Sequence, residues 1–254
     1  MAARHGGQFL LRIEDIDQSR ARPAWEEQIY EDLHWLGLSW PEPVLRQSDR
    51  LPRYAAALAQ LSAMGLTYPC CCNRADIEAA AGAPQEGVPQ FGPDGRIYPG
   101  TCRNREKTKA TAQDVIRLDM AAALERLPRL SFIETSEDLG GEISLDPEAL
   151  LTGVGDIVLV RRNMGSSYHL SAVVDDADQG ITHVVRGADL FSSTQIHVVL
   201  QALLQLPTPQ YHHHPLIRDE AGKRLAKRDD ARAIAKYRED GASPSDIRRR
   251  VGLG

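Results

Sequence analysis

Histidine is missing from a long middle stretch of this sequence: none occurs between His34 and His169. Cysteine is scarce, with only Cys70, Cys71, Cys72 and Cys102. No apolar run approaches the roughly 20 residues that a membrane-crossing helix requires. The opening MAARHGGQFLLRIED lacks the apolar stretch of a secretory signal. These absences predict a cytoplasmic protein with no membrane association. Three consecutive cysteines make a poor disulfide framework, so the thiols point to a metal site or stay idle. Internal repeats and low-complexity tails are absent too, which excludes array architectures.

What is present is ordinary for a globular chain. Of 254 residues, 42% are hydrophobic and 26% charged, which excludes disordered, collagen-like and coiled-coil classes. That length predicts one large domain or two linked ones. A net charge of −5 excludes a surface that is basic all over, but not a local basic face for RNA.

Residues 9–13, FLLRI, read as a short buried strand with Glu14, Asp15 and Asp17 beyond its end. Pro23 opens a helix with Trp25, Ile29, Leu33 and Leu36 on one face, stopped by Gly37. A second helix places Leu51, Tyr54, Ala55, Leu58, Leu61 and Met64 together and stops at Gly65. From Thr67 to about Gly155 the chain is broken by Gly and Pro and reads as an insertion with its own small fold. Three β-branched runs follow, 156–162, 168–176 and 180–187, each read as a buried strand. Ser192, Ser193 and Thr194 predict a capped helix start. One more strand near 211–217 leads to a charged loop and a final helical region. Strand–helix alternation around an insertion predicts an α/β domain with ligands at the carboxyl ends of its strands.

Four groups of residues carry chemistry. Glu14 lies where an open α/β sheet holds ligands, and a carboxylate there binds an ammonium group; the competing reading is a solvated acidic turn. The loop GKRLAKRD offers Lys223, Arg224, Lys227 and Arg228 to a polyphosphate that gains charge as its bond breaks; a solvated basic loop is the alternative. Arg186 follows the strand ITHVV, where its fork can grip a carboxylate beside the Tyr168 hydroxyl. Cys70 and Cys72 share one face of an extended chain, and Cys102 follows about 30 residues on. Three thiolates suit zinc, with Tyr98, Asp94, Cys71 or water as the fourth ligand. Arg103, Arg105, Lys107 and Lys109 are further candidates to meet a backbone phosphate.

These pieces occur in order: FLLRIEDIDQSR, the cysteine-bearing insertion, YHLSAVVDDADQGITHVVRGADLFSSTQIHVVLQALL, then PLIRDEAGKRLAKRDDA. In that order they resemble the catalytic domain of the class I glutamyl-tRNA synthetases over almost the whole chain. The Cys-x-Cys and Ile-Tyr-Pro-Gly-Thr-Cys patterns narrow the resemblance to the shortened glutamyl-Q branch of that family. The resemblance implies a Rossmann-type parallel sheet over 1–66 and 156–240, a zinc-containing inserted subdomain over 67–155, and a helical end over 241–254. It implies activation of glutamate with ATP and Mg2+, then transfer to the queuosine base of tRNA(Asp) by a monomer. Glu14 then meets the substrate ammonium, and Tyr168 and Arg186 hold glutamate. Arg224 and Lys227 bind ATP, Lys227 matching the second lysine of the family's signature loop; Ala226 replaces the usual serine. Cys70, Cys72, Tyr98 and Cys102 match the zinc ligands.

One departure stands at the amino end. The family's first strand, its Pro-Thr-Gly loop and its His-x-Gly-His helix have no counterpart before FLLRIED. That strand lies inside the doubly wound sheet, so its loss predicts exposed strand edges. Two rival readings follow: an inactive adenylation remnant that still binds tRNA, or a catalytic fragment of a conventional glutamyl-tRNA synthetase.

Overall fold

The computed structural model describes residues 1–81, 89–218 and 233–253. They divide into two compact units, Met1–Asp49 with Pro215–Gly254, and Arg50–His214. No helix among the described residues is long and apolar enough to cross a membrane.

The first unit holds β1 (Arg12–Ile13), α1 (Pro23–Trp35), β2 (Leu45–Arg46), and the late helices α8 (Ile234–Glu239) and α9 (Pro244–Arg250). Strands β1 and β2 pair in parallel. Pro23 starts α1, because its missing N–H costs nothing at a helix's first turn. The expected apolar face of α1 is corrected here: Trp25 and Ile29 are exposed, and both line an open cavity of about 860 Å³. The strand expected over 9–13 shortens to two residues, of which only Ile13 is buried; Phe9 is exposed. The late helices pack on α1, where Arg238 meets Glu31 and Asp32 and Arg248 donates to the Leu36 carbonyl. Ser243 and Asp246 close a reciprocal capping box at the start of α9.

The second unit begins with α2 (Leu51–Ala63) and β3 (Thr67–Cys70), followed by α3 (Arg74–Ala81) and the hairpin β4 (Phe91–Gly92) and β5 (Gly95–Arg96). Then come β6 (Val115–Leu118), α4 (Met120–Leu124), β7 (Ser131–Glu134), β8 (Gly141–Ser144), α5 (Pro147–Gly153) and β9 (Val158–Val160). The last elements are α6 (Tyr168–Asp178), β10 (His183–Gly187), α7 (Phe191–Leu203) and β11 (Gln210–His214). Strands β3, β6 and β9 form an antiparallel sheet. A mixed sheet runs β10-β11-β7-β8, parallel across its first three strands and antiparallel at β8. Residues 131–144, inside the expected insertion, thus belong to the sheet of β10 and β11.

The segment 168–176 is a helix, not the strand its β-branched run suggests. Ser167 caps it by accepting from the Leu170 N–H. Almost every residue of α6 is buried, so no polar stripe marks a helical period; a fully buried segment carries no amphipathic signal. Leu170, Val173 and Val174 pack with Tyr54 and Leu61 of α2 and with Ile196, Val199 and Leu200 of α7 in the main core. At the start of α7 the cap is Leu190, with no side-chain hydrogen bond. Ser193 and Thr194 are buried instead, and Thr194 turns to a polar cluster described below. Gly92 seats the β4–β5 hairpin: a Cβ there would lie 2.1 Å from the Gly153 carbonyl oxygen.

Candidate functional site

In the first unit, the acidic turn after β1 sorts its carboxylates. Asp15 accepts from the Ser48 backbone N–H at 2.9 Å and its hydroxyl at 2.7 Å. Burial opposes its ionisation, but those bonds and one from Gln18 hold its pKa below the usual value. Asp17 is held low by the Ser19 hydroxyl and Arg20. Glu14 is different. It pairs with Arg12 at 3.3 Å, keeps 43% of its side chain exposed, and shares with Asp15 and Asp17 the cavity lined by Trp25, Ile29, Glu26 and Arg46. Of the three acids, Glu14 is exposed, whereas Asp15 and Asp17 are half-buried.

The second unit brings Tyr168 and Arg186 together. Tyr168 opens α6 and Arg186 sits near the end of β10, whose register sets it opposite His213. The guanidinium donates from Nη1 to the Tyr168 hydroxyl at 3.4 Å and to His197 Nδ1 at 3.3 Å. Its Nη2 donates to Thr194 Oγ1 at 2.6 Å, and its Nε to His213 Nε2 at 3.2 Å. Behind His213 stands Glu134, 2.5 Å from Nδ1, with the His213 backbone N–H also donating to that carboxylate. His197 is followed by His169 at 3.2 Å and then Asp94 at 3.4 Å. Burial lowers the His213 pKa more than Glu134 raises it. The Glu134 carboxyl, despite burial, is held at about 2 by His213 and by the His213 and Ser136 backbone.

Sequence reasoning missed Glu134, His169, His197 and His213 as parts of this cluster. One signal was available. In the run 212–214 a strand places Tyr211 and His213 on one face, and both are buried.

The thiols form a second cluster. Cys70, Cys72 and Cys102 are buried, and their sulfurs lie within 4.8 Å of one another. Cys72 and Cys102 are 3.5 Å apart; sulfurs on one tetrahedral zinc ion sit about 3.8 Å apart. The Tyr98 oxygen lies 3.3 Å from the Cys70 sulfur and 3.5 Å from that of Cys72, and accepts from the Cys102 N–H at 2.8 Å. Burial pushes the Cys72 thiol up to about 12. Cys102 is buried too, yet hydrogen bonds from Tyr98 and its cysteine neighbours bring it down to about 6. Asp94, another candidate fourth ligand, is turned to His169 and Arg161 instead. Cys71 is exposed. The three sulfurs could hold a metal ion, and the Tyr98 oxygen stands beside two of them.

The remaining candidates fall out differently. Arg103 is bonded to buried Asp156 at 2.8 Å and Arg105 to Asp114 at 2.6 Å. Lys109 pairs with Glu106. Carboxylates of the chain pair with all three cations, buried ones for Arg103 and Arg105 and an exposed one for Lys109. Arg224 and Lys227 lie outside the described residues.

A mixed α/β fold whose sheet carries parallel strands agrees with the family comparison. The model of the tRNA synthetases class I (E and Q), catalytic domain, matches residues 1–253. The chain belongs to this family of ligases. A relative from Rhodobacter capsulatus named glutamyl-Q tRNA(Asp) synthetase is 58% identical over all of this chain and 91% of its own length. A glutamate–tRNA ligase of a Synechococcus strain is 36% identical over 99% of this chain and 51% of its own. Among solved structures, the glutamate-tRNA synthetase of Elizabethkingia anophelis superposes with a TM-score of 0.73 at 25% identity, covering 100% of this chain. This chain spans 56% of that longer one.

Proposed function

We propose that this chain activates glutamate with ATP and Mg2+ and transfers it to the queuosine base of tRNA(Asp), as a cytoplasmic monomer. The observation that carries this reading is the 58% identity to the Rhodobacter relative across the full chain. The site chemistry is consistent with it. Glutamate has two carboxylates and one ammonium. Arg186 and Tyr168 suit a carboxylate, and Glu14 suits the ammonium. Adenylation asks the protein for no nucleophile, because the substrate carboxylate attacks the α-phosphorus of ATP and pyrophosphate leaves. Cations must then neutralise the phosphates, a role assigned from sequence to Arg224 and Lys227. Cys70, Cys72, Tyr98 and Cys102 would hold Zn2+, which would tie the loop after β3 to the chain near Cys102. The tRNA-facing part is assigned to the insertion, 67–155.

Glutamate-dependent exchange between ATP and pyrophosphate tests the first half-reaction. Labelled glutamate appearing on queuosine-containing tRNA(Asp), and not on tRNA(Asp) lacking it, tests the second. No exchange with any amino acid would sink the reading. A second reading, the catalytic part of a conventional glutamate–tRNA ligase, draws on the Synechococcus relative; charging of tRNA(Glu) at its 3′ end would favour it.

A further inference from the structure

We propose that His197 and His213 are positioning residues, each presenting an unprotonated ring nitrogen to Arg186, and that together they fix the guanidinium for a carboxylate ligand. The glutamate part of this inference rests on the proposed function; the state of the rings does not.

The argument starts from proton counting. A guanidinium has five N–H bonds and accepts none. Each nitrogen it faces must therefore offer a lone pair. Arg186 Nε faces His213 Nε2, and Nη1 faces His197 Nδ1. A neutral imidazole has one lone-pair nitrogen, so its proton sits on the other. The His213 proton is then on Nδ1, facing the Glu134 carboxylate at 2.5 Å. The His197 proton is on Nε2, facing His169 Nδ1 at 3.2 Å. His169 must accept there, which puts its own proton on Nε2, facing Asp94 at 3.4 Å. Every donor in both arms finds an acceptor, and each arm ends on a carboxylate.

No other proton assignment satisfies the whole set. Moving the His213 proton to Nε2 sets N–H against the Arg186 N–H and leaves Glu134 facing a lone pair. All three rings are buried, where such a mismatch is costly. The charged and titratable groups set against them include Arg186 on β10, Glu134 on β7, His212 beside His213, and Asp94 in the β4–β5 turn, itself bonded to Arg161. Tyr168, Thr194 and Tyr211 complete the wall. Four of the five Arg186 N–H bonds are directed at protein atoms. Among the described residues, one N–H on Nη2 remains for a ligand. A guanidinium held this way has little freedom left to lose when a carboxylate binds.

Two measurements test this. Nitrogen-15 NMR of the imidazole rings in the full chain near neutral pH should show His213 protonated on Nδ1, and His169 and His197 on Nε2. Finding His213 or His197 protonated on both ring nitrogens, or in the opposite tautomer, overturns the proposal whatever the enzyme's activity. The second measurement compares His197→Asn with His197→Leu. Asn places an acceptor near the position of Nδ1; Leu places none. Leu should raise the glutamate KM at least about tenfold with the ATP KM little changed, and Asn should restore most of that loss. Equal glutamate KM values in the two variants and the parent would overturn the positioning role. If the parent shows no glutamate-dependent exchange, the functional reading fails and the ring tautomers alone decide this inference.

Discussion

The thiol cluster and the Arg186 cluster lie in one unit of the protein, but they are assembled in opposite ways. The thiols come from a short span, 70 to 102, and their sulfurs converge within 4.8 Å of one another. The Arg186 cluster draws on β7, the β4–β5 turn, α6, β10, α7 and β11, and satisfies itself through alternating donors and acceptors. A metal cluster is completed from outside, whereas a hydrogen-bond network is completed by the fold. The first should therefore depend on an ion, and the second on each of its own members.

The largest expected effect separates them directly. Cys72→Ser removes a central sulfur, so bound zinc should fall from about one per chain to near zero, with a marked loss of thermal stability. Chelation of the parent protein should reproduce that loss and leave the Arg186 cluster's ring tautomers unchanged. If chelation changes neither stability nor metal content, the thiols are idle. On the other side, Glu134→Ala strands His213 in a buried site without its carboxylate. With His213 neutral, the variant leaves its Nδ1–H and backbone N–H as buried donors without that acceptor, a loss of about 1–3 kcal/mol for each, read as a shift in the urea midpoint, and zinc content should not move. An unfolding free energy within error of the parent would mean that the Glu134–His213 bond contributes nothing.

How much of each cluster the sequence discloses follows from the same contrast. Cys70, Cys72 and Cys102 announce themselves by type and spacing, and Tyr98 enters with the motif around Cys102. Arg186 and Tyr168 are visible through the family resemblance. Their supports are not. Glu134 is in a segment that reads as part of the insertion, and only strand pairing brings β7 beside β11. His169 and His197 lie on helices buried nearly all round, where no polar stripe singles them out. The same lack of a stripe makes α6 look like a strand. On α1 the error runs the other way: apolar spacing suggests burial, yet Trp25 and Ile29 face an open cavity.

A smaller effect tests the cluster by titration. The Glu134 carboxyl is held at about 2 in the folded protein, against 4.5 for the free group. Its contribution is full above that ordinary value and is lost as pH falls toward about 2. His213 shifts downward as well, from an ordinary value of 6.5, mainly through burial. The unfolded chain therefore takes up a proton there that the folded chain refuses, and this contribution also drains away as pH falls below 6.5. Both signs agree, so stability should decline on acidification from pH 7, first through His213 and then through Glu134. In His213→Gln the step below 6.5 should be weaker, measured by urea unfolding at each pH. A stability that rises between pH 7 and 5 in the parent would contradict the assignment of a neutral His213.

The smallest effect sharpens the thiol side. Cys71 sits between two buried cysteines, and its sulfur is 3.9 Å from that of Cys102, but its side chain is exposed. Cys71 thus touches the cluster at its exposed edge, beside Cys102, whereas Cys70 and Cys72 are buried within it. Its carbonyl is held from the other side, where Arg162 donates to the Cys71 and Cys72 oxygens at 2.9 Å each. Those bonds use backbone, which a side-chain change leaves intact. Cys71→Ser should therefore keep zinc at about one per chain and change stability by no more than about 0.5 kcal/mol. If Cys71→Ser instead empties the site while Tyr98→Phe leaves it filled, the fourth ligand is the exposed thiol and the tyrosine is only its neighbour.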